Sequence, residues 1–474
     1  MANVALLLSG AIGVGAPTGL WPKILNWIEG TVVNYGWVII LFTILVKVCL
    51  MPLDFVVKFS TKKQTLMQQK LAPQIARINR KYAQDPNQAK LQTNALYKRE
   101  GMNGILSCLI MIVNLAVTMT VFFTLFASLR DMSACKAINQ YAQLEQAYKT
   151  AYEQNIDAVK ADFINRFNEQ AENGNNTLYK WVIPAEGEAG EPHLDVAHEG
   201  ISYEKFASLF ADGEGTNEAG EAITVNGIFS NFYGFGTSLT DAQKEFVNLY
   251  FVYDETNISN NLTVLDLLTE SGKIATDPAA KAASDKWQEV KDSWLWVANI
   301  WVADNYKSPL PSYNDLASLA SSSKEKPYIN YVAGINKDLY NAVTSAVHNQ
   351  NSRWNGYFIL AILAGATSFL SQWITERMSK PKNRDVSKFV DQANPAGGTM
   401  KFMKILLPAL MVIFVLSSSA AVGIYIVVSA IISILISMLT SAIVNACFKK
   451  KQAEVYEYLE KETLKNLKKN NRRG

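Results

Sequence analysis

The chain has 474 residues, 49% of them hydrophobic, and a formal net charge of only +3 at pH 7. Positions 131–352 hold 31 acidic and 15 basic residues and the remainder 11 and 30, so an acidic middle lies between strongly basic ends. Because those ends also carry long uncharged apolar runs, a single soluble domain is excluded; the four cysteines, three of them in or beside such runs, exclude a disulfide framework.

No Lys or Arg precedes Lys23, so the start lacks the basic region of a cleaved signal peptide, and residues 1–34 are expected to lie outside the membrane or at its surface. A crossing needs about 20 mainly apolar residues to cover roughly 30 Å of hydrocarbon. Five stretches qualify: 35–57, 105–130, 355–378, 399–420 and 423–447. The last two form a hairpin turning at Ser417-Ser418-Ser419, with Pro408 expected to bend the first of them. Between the first two spans, 58–101 predicts a helical hairpin: Leu71, Ile75, Ile78 and Tyr82 repeat at helical spacing, Pro73 should kink the first helix, Asp85-Pro86 starts the second and Gly101 ends it.

From 131 to 352 the sequence predicts an inserted extracellular domain, α-rich with a few strands. Tyr141, Leu144, Tyr148, Tyr152, Ile156, Val159, Phe163 and Phe167 make one stripe of a long helix that prolongs the second span, closed by Asn173-Gly174-Asn175-Asn176. Turn signals come next at Asn226-Gly227 and Gly234-Phe235-Gly236, and a surface segment at 293–316 leads to the third span. The hairpin, the loop 379–398 and the tail 448–474 are all basic, and the positive-inside rule puts all three in the cytoplasm only if the crossings are odd in number. The fold class is therefore an all-α membrane core of five transmembrane helices with a cytoplasmic helical hairpin, an extracellular insertion, and a plasma-membrane location with the N-terminus outside.

Lys47 lies in the middle of the first span, where an ionised amine costs at least about 2.5–3.5 kcal/mol unless it faces protein or water. Two readings stand: a structural lysine held by backbone carbonyls, or a positive charge in a hydrated groove. Ser429, Ser433 and Ser437 recur every four residues on the last span, Thr367 and Ser371 on the third with Gln372 beside them, and Asn114 and Thr118 share a face of the second. Singly, such residues pack or bond to their own helix; aligned beside a deep lysine they favour the groove. Nothing suggests catalysis: the three histidines lack metal-ligand spacing, and Gly10, Gly13 and Gly15 follow no predicted strand and give no phosphate loop, so no metal or cofactor is expected.

These motifs resemble the YidC-type membrane protein insertases. Tyr35-Gly36-Trp37 through Lys47 is similar to the family's first core helix with its groove cation. Met51-Pro52-Leu53, Leu71-Ala72-Pro73, Lys81-Tyr82 and Leu96-Tyr97-Lys98 are similar to the end of that helix and to the family's cytoplasmic hairpin. Asn103, Cys108 and Asn114 match the second core helix, Trp294-Leu295-Trp296 through Asp304 the surface segment, Ala364 to Gln372 the third helix, and Met400, Met403, Pro408, Gly423, Tyr425 and Ser429 the last pair. Ala430 and Ile436 depart from the family's polar positions, Asn103-Gly104 stands for Asn-Pro, and most of 132–293 is extra. The resemblance implies an insertase and chaperone acting as a monomer on nascent membrane proteins through a groove open to cytoplasm and lipid. It also implies contact of Lys62, Lys63, Arg77, Arg80 and Lys81 with substrate, ribosome or a targeting receptor, action alone or with a Sec translocon, and a tail on anionic lipid or ribosomal RNA. The rivals are a small-solute transporter or channel using the same cavity, and a tethered ectodomain receptor. No inverted repeat supports the first, and a deep lysine has no use in the second.

Overall fold

A computed structural model of the chain describes residues 17–32, 34–101, 104–172, 179–183, 193–195, 197, 213–216, 222–225, 247, 249–252, 262–320, 328–350, 354–379 and 397–470. Residues 1–16, the turn signals at 173–176, 226–227 and 234–236, and most of the basic loop 379–398 lie outside them.

Helix α1, Leu20–Glu29, is amphipathic: Leu25 and Ile28 are buried, Leu20 and Trp27 are exposed, and the Trp21 indole N–H donates to Thr124 Oγ1 at 3.2 Å. The Asn34 side chain then accepts from Gly36 N at 3.0 Å and starts α2, Tyr35–Lys81. At 1.5 Å per residue its 47 residues run about 70 Å, more than twice a hydrocarbon core. The helix therefore continues well past position 57 without a break. Pro52 and Pro73 both lie inside it. Asp85 accepts from Asn87 N and Gln88 N at 3.1 and 3.0 Å, with Pro86 in the first turn, and so begins α3, Pro86–Arg99; Gly101, at φ +71°, comes just after it.

Helix α4, Gly104–Glu153, carries the second apolar run out into an acidic head. The expected single stripe through Phe167 is interrupted. Asn155 turns its side chain back onto Ala151 O at 2.8 Å while its carbonyl accepts from Val159 N, so α5, Ile156–Glu172, starts as a separate helix. Beyond it, β1 (Tyr179–Ile183) pairs antiparallel with β2 (His193–Leu194) and with β5 (Tyr250–Val252), in register Val182↔Leu194 and Lys180↔Phe251. A separate ribbon joins β3 (Gly213–Thr216) to β4 (Ala222–Val225). A capping box between Thr263 and Asp266 opens α6, Val264–Val290. Its buried small residues Ser271, Gly272, Ala275, Ala279 and Ala283 let α6 lie close against α4 and α5, over Tyr141, Leu144 and Tyr148. Helices α7 (Tyr313–Ala320), α8 (Ile329–Ala333) and α9 (Lys337–Gln350) complete that core, and Tyr331 OH donates to Glu145 at 2.5 Å across it.

Three further helices return to the apolar part: α10 (Ile359–Ser379), α11 (Gly397–Leu416) and α12 (Ala420–Asn470). Among the described residues, three helical stretches are long and apolar enough to cross a membrane, within Tyr35–Lys81, Leu109–Glu153 and Ala420–Glu462; Ile359–Ile374 is a shorter apolar helix. Helix α12 continues without a break through the predicted tail, alongside α2. Phe448 packs with Leu66 and Val444, and Arg77 pairs with Glu462 at 2.5 Å. Val455 and Leu459 of the predicted tail are buried within the protein, while Lys449, Lys450 and Lys451 are exposed.

The segment 291–312 closes the head end of the bundle with a polar network. Buried Asn355 donates from Nδ2 to Asn299 O, Val302 O and Ala303 O at 2.9, 3.2 and 2.8 Å and accepts from Asn299 N at 2.7 Å. The loop so held offers Val302 O and Ile300 O to Ala420 N and Ala421 N at 2.8 and 2.7 Å, which satisfies two of the orphan donors at the start of α12. Asp304 does the same for α10, accepting from Tyr357 N and Leu360 N at 2.7 Å each; a Cβ on Gly356 would land on that carboxylate. Lys136 pairs with Glu29 at 2.9 Å and lies over the Tyr35 and Trp301 rings, and burial pushes the nearby Asp292 carboxyl above the usual range, offset in part by the Trp301 indole N–H. Two outcomes are expected in thermal unfolding of the detergent-solubilised protein. Asn355→Leu strands several buried backbone groups and costs on the order of 3 kcal/mol; an unchanged midpoint would show that the network does not hold the loop. Gly36→Ala sets a Cβ into the Trp294 ring and costs about 1–3 kcal/mol with a shift in tryptophan emission, whereas unaltered emission and stability would contradict the close approach.

Candidate functional site

Burial along four helices changes abruptly at one level. On α2 it takes in Tyr35, Val38, Ile39, Phe42, Thr43 and Val46 and does not resume until Leu66. On α12 every residue from Ala420 to Val427 is buried, then none until Thr440. Among the described side chains, the last buried one on α10 is Ala364 and none on α4 before Leu125 is buried. The residues on the head side of this level form one apolar core with Leu25, Ile300 and Trp301. On the hairpin side, among the described residues, burial falls to small clusters such as Leu66 with Val444 and Phe448, so the bundle is tightly packed at the head end and sparsely packed below it.

Lys47 is the first residue of α2 beyond the packed level. It is half-buried and, among the described residues, has no hydrogen-bond or ion-pair partner. The other residues expected to line a groove fall at or below the same level. Ser429, Ser433 and Ser437 are half-buried on α12, and Thr367, Ser371 and Gln372 are half-buried on α10. Thr367 returns its hydroxyl to Leu363 O at 2.7 Å, and Ser429 bonds Tyr425 on its own helix. Asn114 is half-buried and Thr118 exposed on the open half of α4. On the hairpin, Lys63, Arg80 and Lys81 are exposed and Arg77 is tied to Glu462. Lys62 is half-buried, and burial holds its amine below the ordinary lysine value.

The structure adds residues that the stripe argument passed over. Lys58 Nζ donates to Ser437 O, Ser437 Oγ and Thr440 Oγ1 at 2.9, 2.7 and 2.8 Å and lies 3.1 Å from Asp54 Oδ2. This cluster joins α2 to α12 at the hairpin end of the unpacked stretch, so Ser437 is part of a joint as well as of a wall. Its sequence signal was an acid and a lysine four residues apart at the end of an apolar run. Among the described residues no group of His, Cys, Asp or Glu is arranged to hold a metal.

The chain matches the family model described as 60Kd inner membrane protein over residues 27–164 and 284–447. The match therefore takes in α2, α3, α4, the closing loop, α10, α11 and α12 as far as Cys447, and omits residues 1–26, 165–283 and 448–474. Among curated proteins it is similar to membrane protein insertases YidC. It is 37% identical to that of Leptospira interrogans over 101 residues, 21% of this chain and 15% of that protein. It is 30% identical to that of Chlorobaculum parvum over 107 residues, 23% and 18% of the two chains, and 25% identical to that of Chlorobaculum tepidum over 175 residues, 34% and 29%. The matched segments thus span well under a third of the relatives' own length. No solved structure matches. With the family model covering more than half of its residues on the elements that build the tightly and the sparsely packed parts of the bundle, the chain belongs to the 60Kd inner membrane protein family, that of the YidC-type insertases.

Proposed function

We propose that the chain is a membrane protein insertase and chaperone that receives nascent membrane proteins in the unpacked stretch between α2, α4, α10 and α12. The observation that supports this most directly is the coincidence of Lys47 with the level at which packing stops. In this reading α10 and α11 cross the membrane as the third and fourth of five spans. The head lies outside, and the hairpin, the loop 379–398 and the end of α12 are cytoplasmic, as their positive charge directs.

The mechanism is electrostatic attraction and then transfer to lipid. A wet ammonium at mid-membrane depth attracts the acidic or polar leading segment of a substrate, which shortens the polar distance left to cross. The loop 291–312 and the apolar core beneath it keep the far side closed to water and ions. Asn114, Thr118, Thr367, Ser371, Gln372, Ser429, Ser433 and Ser437 offer hydrogen bonds along the way. The substrate's apolar helix leaves between α4 and α10, driven by about 25 cal/mol per Å² of apolar surface removed from water. No cofactor enters this scheme. Lys62, Lys63, Arg77, Arg80 and Lys81 on the hairpin and the outward lysines of α12 serve as contacts for ribosome, targeting receptor or anionic lipid, with or without a Sec translocon, and the chain works as a monomer.

The test is protease protection of a single-span substrate with an acidic leading tail, added to the full chain in liposomes. Lys47→Ala is expected to lower insertion on the order of tenfold, and Lys47→Arg to keep it near the original level, since the charge at depth is what acts. Undiminished insertion by Lys47→Ala would remove the groove charge from the mechanism.

A further inference from the structure

Three charged side chains of α2 lie on one face. Asp54 and Lys58 come after Lys47 by seven and eleven positions, each close to a whole number of turns at 3.6 residues per turn. Their circumstances differ. Lys47 has no hydrogen-bond or ion-pair partner among the described residues and feels Asp54 only at longer range, whereas Lys58 bonds Ser437 through both its carbonyl and its hydroxyl, bonds Thr440, and sits 3.1 Å from Asp54. The Thr440 hydroxyl is itself 3.2 Å from the same Asp54 oxygen, and Thr440 is fully buried. The Asp54 side chain keeps 39% of its surface open and Lys58 21%, so the carboxylate is held at the edge of the unpacked stretch rather than sealed away from it.

That carboxylate is a hazard to the groove. It is only about 10 Å of helix rise from Lys47, on the same face, and is permanently attached. An attached group competes with a diffusing one through its high effective concentration, and the attraction between unit charges grows several-fold as the surroundings become less polar than water. An uncompensated Asp54 would therefore act on Lys47 as a built-in substitute for an acidic substrate segment.

We propose that Lys58 is a positioning residue for insertion: by neutralising Asp54 and tying it to α12 through Ser437 and Thr440, it leaves Lys47 unclaimed and so sets the preference of the groove for carboxylate-bearing segments. The inference rests on the reading of Lys47 given above. Lys58 touches no substrate in this scheme and acts through Asp54. Ser437 and Thr440 supply the geometry, since a lysine bonded to two hydroxyls and a carbonyl of α12 cannot swing away and release its acid.

The experiment uses the full chain in liposomes of phosphatidylethanolamine and phosphatidylglycerol, with two single-span substrates that differ only in Asp or Asn in the leading tail. Lys58→Gln keeps donors for Ser437 and Thr440 and removes the charge. It is expected to lower insertion of the Asp-tailed substrate roughly fivefold and leave the Asn-tailed one within about twofold, and adding Asp54→Asn to it should restore the former. A merely structural clamp would lower both substrates alike with no rescue by the double variant; that result, or no change with either substrate, overturns the inference. Lys47→Ala in the same assay separates the two levels. If it leaves the Asp-tailed substrate unaffected, the groove reading falls and this inference with it. If it lowers insertion while Lys58→Gln shows no charge-dependent loss, only the role of Lys58 is lost.

Discussion

An ammonium in the middle of an apolar helix is tolerable only where water or protein polarity reaches it, and in this chain Lys47 stands where the packed face of α2 ends. On α2 the packed face runs to Val46 and the cation is the next residue. Had the core continued one more turn along α10 and α12, the amine would have been buried more deeply still, at a further cost in lost hydration. Had it stopped a turn earlier, the head end would have lost the seal made by Phe42, Leu125 and Ala421. The boundary between the tightly and the sparsely packed parts of the bundle thus coincides with one charged side chain.

Sealing one end of a helix bundle raises a second problem, because α10 and α12 both begin there with unpaired backbone donors. The solution is a loop rather than side-chain caps alone. Asn299 and Asn355 hold each other and the surrounding carbonyls so that Ile300 O, Val302 O and Asp304 meet the two helix starts. The aromatic residues of the same segment, Trp294 against Gly36 and Trp301 against Tyr35, fill the remaining space. Polar satisfaction and apolar filling thus come from one stretch of chain.

At the other end the two longest helices run side by side out of the apolar region. Lys58 with Asp54, Ser437 and Thr440, then Leu66 with Phe448, then Arg77 with Glu462, mark successive contacts between α2 and α12. Such a pair can carry the hairpin as a rigid extension of the spans. The exposed ion pair of Arg77 adds little on its own, and the buried aromatic and aliphatic contacts do most of the holding.

Hydropathy and charge, read along the chain, were enough to find the apolar runs, the acidic head, the basic hairpin with its Asp85-Pro86 start, and Lys47 as the residue out of place, because each is a local property of type and spacing. The family resemblance was legible for the same reason, in short motifs. Where helices stop was not: α2 and α12 continue far past their apolar runs, since a helix ends when its backbone finds a better partner and not when its side chains become charged. The break at Asn155 depends on one side chain turning back to Ala151. The level at which packing ceases, the bond of Ser437 to Lys58, and the capping of α12 by Val302 join residues from 118 to 379 positions apart. No pattern along a single helix contains that information; it exists only once the helices are set against one another.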